Sequence, residues 1–369
     1  MHSPAPAFAD APRTITVMQR RTLLKALAAG ATLPIVAGAV APAGPATSRD
    51  VLDTPAQRSA LAPNAILTGL ARAGKRIVAV GQRGHVLVSD DAGKSWQQAD
   101  VPVSADLVAV SFASAESGWA VGHDGVILHS ADAGHSWTRQ LDGRTLGDVL
   151  VAHYTKTGDA KWLAEARRFA AQGAENPFLD VWFDDASNGI VVGAFGLALR
   201  TADGGATWLP LMHATDNPKS LHLYAVRRIG GELFIAGEQG LLLKLDRDGA
   251  RFSALTLPYA GTLFGLVGKD RFVVAHGLRG NVVRSADGGQ SWQSVQTGVG
   301  VGLTASALDE RGRMVIVSQA GHVLVSRDDG ASFVPMKLDR PVPAAAVVSA
   351  GADALVIAGP RGVQTLPLA

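Results

Sequence analysis

The chain has 369 residues, of which 47% are hydrophobic and 18% charged, and it contains no cysteine. The missing thiols exclude disulfides, thiolate catalysis and cysteine-ligated metal sites. The 34 basic and 32 acidic residues nearly balance, which excludes the strong basic excess typical of nucleic-acid-binding proteins. The 42 glycines favour many tight turns between short strands, and therefore an all-β fold.

The first 46 residues have the composition of an export signal. Arg20 and Arg21 are followed by Thr-Leu-Leu-Lys and then by an uncharged run rich in Ala, Gly, Leu and Val over residues 26–40. A basic start, a short apolar run and small residues form a secretion signal, and the paired arginines are typical of the twin-arginine route. Met18, just ahead of this motif, is an alternative start. We therefore expect residues 1–46 to be a signal peptide and the remainder to act in the periplasm.

The alternative for this segment is a retained membrane anchor. The apolar run is short and rich in Gly and Ala, whereas a span of the bilayer takes about 20 strongly apolar residues. We predict that the signal is cleaved, that no integral membrane segment remains, and that the mature protein is a monomer.

A turn motif recurs through the rest of the chain. The pattern Ser/Thr-x-Asp-x-Gly-x-Ser/Thr-Trp occurs four times, a fifth copy carries Phe333 in place of Trp, and a degraded copy lies near residues 246–252. The aspartates and tryptophans of the good copies are Asp91, Asp132, Asp203, Asp287, Asp328, Trp96, Trp137, Trp208 and Trp292. The pattern resembles the Asp-box, or BNR repeat, of β-propellers. An aspartate in a turn accepts hydrogen bonds from following backbone N–H groups, so we predict structural roles for these residues.

A second pattern precedes the boxes, in which two apolar strands flank a short glycine-containing turn. Such a pattern predicts a β-hairpin, and it occurs near residues 77–88, 119–128, 192–198, 235–243, 274–283, 317–325 and 357–363. The period of about 40 residues fits one four-stranded blade. We predict a seven-bladed β-propeller of antiparallel blades over residues 47–369. The last repeat has only three strands, and we expect residues 56–62 to supply the fourth and close the ring.

An insertion separates the second blade from the third, over about residues 142–177, because one interval between boxes is about 30 residues too long. Asp159 has the position of a helix N-cap, and Trp162 and Phe169 then fall on one apolar face. Gly173 ends the predicted helix. We expect this helix to cover part of the face that carries the glycine-containing hairpins.

The hairpin tips are the candidate binding residues, because they surround the mouth of the predicted channel. They are Arg83, His85, His123, Glu238, Gln239, Arg279 and Arg361. Arginine can bind a carboxylate through two parallel hydrogen bonds, and closure of the ring makes the blades of Arg83 and Arg361 neighbours. Two interpretations stay open: a carboxylate-binding patch, or tips that are polar because they face water. The histidines lack the spacing of a metal site, and we predict no metal and no cofactor.

Catalysis finds little support in the sequence. Glycoside hydrolysis takes two carboxylates about 5–10 Å apart, and the only tip carboxylates, Asp124 and Glu238, belong to blades two apart. None of the three tyrosines is at a tip. We expect a binding protein, and a BNR-repeat glycoside hydrolase, sialidase-like or acting on polysaccharide, is the alternative.

Residues 107–137 and 178–193 resemble the repeat of the photosystem II stability and assembly factor family. The similarity covers about residues 51–369. It implies a seven-bladed, non-catalytic, lumenal propeller that holds a newly made reaction-centre subunit through an arginine-rich patch, for which Arg83, Arg279 and Arg361 are the candidates. The insertion is not part of the family pattern, and a twin-arginine signal requires no thylakoid. We therefore expect a member from a non-photosynthetic bacterium that binds a protein partner or assists assembly of an envelope complex. Trp162 and Phe169 are candidates for contacting an apolar part of that partner.

Overall fold

A computed structural model describes residues 50–368 of the chain. The predicted signal peptide and the alternative start at Met18 lie outside these residues. Within residues 50–368 the backbone forms seven antiparallel sheets, six with four strands and one with three, and two α-helices. The predicted all-β, propeller-like fold is confirmed.

Each sheet is one blade, and its strands follow one another in chain order. Blades one to three consist of Leu67–Ala73 (β1), Arg76–Gly81 (β2), Val86–Ser89 (β3), Gln97–Gln98 (β4), Leu107–Phe112 (β5), Gly118–Gly122 (β6), Ile127–Ser130 (β7), Thr138–Leu141 (β8), Phe178–Phe183 (β9), Gly189–Gly193 (β10), Ala198–Thr201 (β11) and Leu209–Pro210 (β12). Blades four to seven consist of Leu223–Ile229 (β13), Glu232–Gly237 (β14), Leu242–Leu245 (β15), Phe252–Ala254 (β16), Leu263–Lys269 (β17), Phe272–Gly277 (β18), Val282–Ser285 (β19), Gln293–Val295 (β20), Leu303–Leu308 (β21), Met314–Ser318 (β22), Val323–Ser326 (β23), Val334–Pro335 (β24), Ala346–Ser349 (β25), Ala354–Gly359 (β26) and Gly362–Pro367 (β27).

The first strands of successive blades contact one another, and β25 of the last blade contacts β1 of the first. The seven sheets therefore form a ring. Leu67 and Leu87 of blade one share a buried cluster with Ala346 and Ala358 of blade seven. Apolar side chains contribute to this junction.

The prediction that residues 56–62 complete the last blade is wrong. These residues form no strand, and blade seven has three. The segment instead follows the end of blade one, where Ala56 N donates to Val101 O at 3.0 Å and Arg58 Nη2 lies 2.6 Å from Asp100 Oδ1. Prolines at positions 55 and 63 flank the segment, and proline offers no N–H to a strand ladder.

The Asp-box turns share one hydrogen-bond pattern. Asp132 Oδ1 accepts from Ser136 N at 2.9 Å and from Ser130 Oγ at 2.8 Å, while Oδ2 accepts from Ser136 Oγ at 2.6 Å. Equivalent bonds reach the aspartates of the other four boxes, Asp91, Asp203, Asp287 and Asp328. Hydrogen bonds from Ser95 above all, and from Ser89, hold the pKa of Asp91 at about 2. These carboxylates hold their own turns, and each tip packs against the preceding blade.

Two helices, Gly143–Thr157 (α1) and Ala160–Gln172 (α2), lie between β8 and β9. The sequence predicted α2, whose N-cap Asp159 accepts from Trp162 N at 3.0 Å, but it did not predict α1. Glycine weakens a helical pattern, and α1 contains Gly143 and Gly147. A Cβ on Gly147 would lie 2.5 Å from Ala170 Cα, so this glycine lets the two helices approach closely.

The residue after each box aspartate adopts a left-handed conformation, which costs a residue with a Cβ about 1–2 kcal/mol. This position is Ala133 in one box, with φ 58°, and Gly288 in another, with φ 69°. A Cβ on Gly288 would meet no atom within 4 Å. We predict that Gly288→Ala lowers the free energy of unfolding by about 1 kcal/mol and that Ala133→Gly raises it by a similar amount, as measured by urea unfolding.

Gly289→Ala is the matched comparison. The added Cβ would lie 2.8 Å from Phe234 Cε1, so this variant should lower the free energy of unfolding further. If all of these variants unfold at the same urea concentration as wild type, the left-handed turns carry no strain.

Candidate functional site

A cavity of about 450 Å³ occupies the centre of the ring. The innermost strands of all seven blades line it, through residues 68–70, 108–110, 179–180, 224, 225 and 227, 264–266, 304–306 and 345–347. Gln319, in the turn after β22, also lines the cavity. The cavity therefore reaches from the inner strands to the face that carries the hairpin turns.

Five of the hairpin turns within residues 50–368 place a residue other than glycine in the left-handed conformation, followed by a left-handed glycine. Those residues are Arg83, Asp124, Phe195, Gln239 and Arg279, with φ between 53° and 58°. Two successive positive φ angles are the geometry of a type I′ hairpin turn. The turns span Gln82–Gly84, His123–Gly125, Ala194–Gly196, Glu238–Gly240 and Leu278–Gly280.

The glycine of each turn packs against the backbone that connects one blade to the next. A Cβ on Gly84 would lie 2.2 Å from Val103 O, and one on Gly280 would lie 1.6 Å from Val299 O. The turn thus packs closely against the segment that connects the two blades, and the side chain of the residue before the glycine points away from that segment. Each of these five turns therefore displays one side chain at the same position on this face of the ring.

The three predicted arginines all lie exposed on this face. The side chains of Arg83, Arg279 and Arg361 are exposed, and within residues 50–368 their guanidinium groups make no hydrogen bond or ion pair. Other arginines are paired, such as Arg228 with Asp184 at 2.5 Å and Arg311 with Asp353 at 2.5 Å. The three tips therefore present cationic groups without a partner in the described part of the chain.

Other predicted site residues have different surroundings. His85 is only 8% exposed, its Nδ1 lies 3.1 Å from Gln98 Nε2, and burial together with the charge of Arg83 lowers its pKa. The side chain of His85 is packed inside the protein and is not available to a partner on the hairpin face. His123 is exposed. Glu238 Oε2 accepts from His222 N at 2.9 Å, so that carboxylate already has a hydrogen-bond partner.

Gln239 is exposed, and its Oε1 accepts from Lys219 Nζ at 3.3 Å. It remains accessible on the hairpin face.

The prediction that Phe169 contacts a partner is wrong. Its side chain is 4% exposed and belongs to the same buried cluster as Leu150 and Phe178. The apolar face of α2 packs against α1 and the propeller instead of facing outward. Trp162 is half-buried, and its ring stacks on that of Tyr154 with centroids 5.9 Å apart. It is partly accessible.

The channel contains a charged pair that the sequence analysis missed. Asp180 is 3% exposed, and its Oδ2 accepts from Val226 N at 2.8 Å and from Arg227 Nη1. Burial raises the pKa of Asp180, and the positive charge of Arg227 opposes that shift. The guanidinium lies 5.9 Å from the ring centroid of Trp182. An aspartate within the apolar strand β9 was the only sequence signal.

A row of aromatic side chains leads from the hairpin face into the channel. Phe195 is 47% exposed and contacts His222 at a centroid distance of 4.8 Å. His222 in turn contacts Tyr224 at 6.2 Å, and Tyr224 contacts Phe264 edge to face at 5.4 Å. Tyr224 and Phe264 line the cavity. The sequence analysis considered only hairpin tips, whereas Tyr224 and Phe264 belong to the innermost strands.

Comparison with known proteins agrees with this architecture. The family model described as photosynthesis system II assembly factor YCF48 matches residues 71–166 and 164–334, which is more than half of the chain. The chain belongs to this family. The family resemblance stated from the sequence is therefore confirmed.

One curated relative is the photosystem II assembly lipoprotein Ycf48 of Synechococcus sp. (strain CC9902). It is 30% identical over 159 residues, which are 42% of this chain and 47% of the relative. The chain thus spans about half the length of the curated relative that it matches.

Solved structures show the same fold. The chain resembles the structure titled YCF48 bound to D1 peptide with a TM-score of 0.61 and 16% identity, over 83% of this chain and 94% of that one. It resembles YCF48 from Cyanidioschyzon merolae with a TM-score of 0.61 and 17% identity, over 82% and 95%. The WD40 propeller domain of Doa1 aligns with a TM-score of 0.60 and 11% identity, over 85% and 95%. At these identities the likeness concerns the fold alone.

Residues 50–368 of this family member also lack two kinds of feature. Among these residues no helix has both the length and the apolar character needed to cross a membrane. The same residues contain no group of three or more His, Asp or Glu side chains that would hold a metal ion.

The second strand of blade five contains a buried, neutral histidine. His276 is fully buried, with Nδ1 donating to Leu303 O at 3.1 Å and Nε2 lying 2.8 Å from Ser306 Oγ. Burial lowers the pKa of His276 to about 4. The side chain joins blades five and six, and it folds in its uncharged form.

We predict that His276 makes the protein less stable in mild acid. Below its usual pKa of 6.5 the unfolded chain binds a proton that the folded chain does not bind until about pH 4. Its contribution to the free energy of unfolding therefore falls as pH drops through this window, by about 3 kcal/mol in total. His276→Gln should flatten the pH dependence measured by urea unfolding. His135→Gln, at an exposed position, should keep it, and equal slopes in both variants would contradict the prediction.

We predict a large stability difference between two arginine variants. Arg227→Met leaves the buried carboxylate of Asp180 unpaired and should cost about 3–5 kcal/mol. Arg311→Met breaks an ion pair whose side chains are 53% and 71% exposed, and it should cost no more than about 1 kcal/mol. The double variant Asp180→Asn/Arg227→Met should recover much of the loss. Thermal and urea unfolding measure all three, and equal losses for the two single variants would show that Asp180 is neutral without Arg227.

Proposed function

We propose that this chain is an exported, non-catalytic factor that binds a protein partner and assists the assembly or stability of an envelope complex. The observation that carries the proposal is the set of exposed guanidinium groups at hairpin tips, those of Arg83, Arg279 and Arg361. A guanidinium forms charge-assisted, bidentate hydrogen bonds with a carboxylate. The partner segment is therefore acidic, or ends in a carboxylate.

Two of these arginines belong to blades that touch. Arg361 precedes Gly362, whose Cβ would lie 1.9 Å from Pro63 O in the segment leading into blade one. Arg83 is at the equivalent turn of blade one, and β1 contacts β25. Like charges on adjacent tips favour an anionic partner that lies across both, because such a partner reduces their repulsion.

The family supports a protein as the partner class. The curated relative is named an assembly lipoprotein, and one solved member is titled as bound to a D1 peptide. The lipoprotein name is also in keeping with export, which we propose occurs here by the twin-arginine route into the periplasm. The identity of the partner of this chain belongs to the proposal.

The tip carboxylates support binding rather than hydrolysis. Asp124 and Glu238 are in blades two and four, and Glu238 is bonded to the backbone of His222. Burial raises the pKa of Asp124. A glycosidase takes two carboxylates that flank one bond, and this arrangement does not favour it.

We predict that Arg83→Ala/Arg361→Ala leaves the thermal unfolding temperature nearly unchanged, because neither side chain has a partner in the described residues. Capture of the partner from an envelope extract of the producing cells should fall at least about tenfold, as expected for arginines buried in an interface. Quantitative mass spectrometry of material captured on the immobilised protein measures this.

The control is the double variant Lys94→Ala/Arg247→Ala. It removes the same charge from exposed positions in turns at the opposite ends of the strands, on the Asp-box face. It should capture the partner as wild type does. If both double variants behave alike, the tips are polar only because they face water, and the proposed patch is wrong.

A further inference from the structure

We propose that the central channel binds a small aromatic carboxylate, with its ring against Tyr224 and Phe264 and its carboxylate on Arg227. This site lies inside the ring and is distinct from the arginines of the hairpin face. Binding in the channel is independent of the proposed partner binding.

The apolar half of the site is a pair of rings at the mouth of the channel. Tyr224 and Phe264 both line the 450 Å³ cavity and meet edge to face, with an interplanar angle of 83°. Aromatic side chains favour further rings in stacked or edge-to-face contact, beyond the simple burial of apolar area. Cavities of a few hundred cubic ångströms with apolar walls and few polar groups are typical ligand sites.

The polar half of the site has unused hydrogen-bond donors. Arg227 uses Nη1 for Asp180 and for Val226 O, whereas its Nε and Nη2 make no hydrogen bond among residues 50–368. The hydroxyl of Tyr224 and the side-chain amide of Gln319 are likewise unbonded within these residues, and both side chains line the cavity. A ligand that brings acceptor oxygens therefore satisfies groups that the described chain leaves unbonded.

Asp180 and Arg227 are the charged residues that line the cavity, and the guanidinium is the accessible one of the two. The carboxylate of Asp180 is buried and already accepts from Arg227 and from Val226 N. The free edge of the guanidinium is the part of this pair that remains to face a ligand, since the Arg227 side chain is 36% exposed and that of Asp180 5%. Glu238 stands nearer the mouth, beside Tyr224, and is held by His222 N.

The spacing of the two halves sets the length of the ligand. Tyr224 and Arg227 are three residues apart on β13, which corresponds to about 10 Å along a strand. A ligand that contacts the ring and also accepts from the guanidinium is therefore short. A phenyl ring joined to a carboxylate by one or two methylene groups is such a molecule.

Access to the site runs along the aromatic row. The exposed ring of Phe195 contacts His222, and His222 contacts Tyr224 at the edge of the cavity. Phe195 is held at φ 54°, which bulky residues rarely adopt. The turn of blade three therefore keeps an apolar side chain at the entrance rather than folding it away.

The test is a titration of the full propeller with 3-phenylpropionate, monitored by isothermal titration calorimetry and by protein NMR. 3-Phenylpropanol carries the same ring without the charge, and propionate carries the charge without the ring. We expect 3-phenylpropionate to bind saturably, and each of the other two to bind at least about tenfold more weakly, since a charge-assisted hydrogen bond or a buried ring is lost. If neither the acid nor the alcohol saturates the protein, the proposal is overturned.

Variants locate the site. Asp180→Asn/Arg227→Met removes the guanidinium without leaving a buried charge and should abolish the preference for the acid over the alcohol. Phe264→Leu keeps an apolar side chain and should weaken both compounds that carry a ring, about tenfold. Arg247→Gln removes one exposed charge in blade four, and it should bind as wild type does.

Two outcomes separate this site from the hairpin-face patch. Arg83→Ala/Arg361→Ala should bind 3-phenylpropionate with wild-type affinity, whatever its effect on partner capture. If that variant loses the acid while Asp180→Asn/Arg227→Met keeps it, the ligand lies on the hairpin face and the channel proposal is wrong. Equal affinity of the acid and the alcohol for wild type would also overturn the role given to Arg227.

Discussion

The turn in which two successive residues adopt positive φ is the constraint on which the rest of this structure depends. It occurs on both faces of the ring, in the Asp-boxes and in five of the hairpins of residues 50–368. In both places the second residue is a glycine whose missing side chain lets another backbone or side chain approach. Gly84 meets Val103 O, and Gly134 meets Val78 of the preceding blade. A single turn geometry thus sets the contact between successive blades on one face and the display of side chains on the other.

This arrangement separates stability from recognition. In the Asp-boxes the polar atoms are used within the turn, as the carboxylate of Asp132 illustrates. On the hairpin face the first left-handed residue is free to vary, because its side chain points away from the blade. Charged, amide and aromatic side chains take that place in successive blades, among them Arg83, Phe195 and Gln239. Successive blades of this chain therefore display different side chains on the same turn.

The insertion extends the core rather than the binding surface. Gly147 lets α1 and α2 pack closely, and Phe169 and Leu150 join a buried cluster with strands of blades two to four. Tyr154, on α1, places its hydroxyl 3.1 Å from Nδ1 of His213, which follows the outer strand of blade three. The helices therefore brace neighbouring blades, and the hairpin tips beside them are held in place.

The sequence by itself determined the blades, the Asp-boxes and the family, because each turn is specified by residues within five positions of one another. It also located the exposed arginines, since each of them directly precedes the glycine of a hairpin turn. The tertiary structure alone decided the pairing of Asp180 with Arg227, the row from Phe195 to Phe264 and the fact that residues 56–62 add no strand to the last blade. Those features depend on which strands become neighbours around the ring, and residues that lie in different blades carry no local signal of their contact.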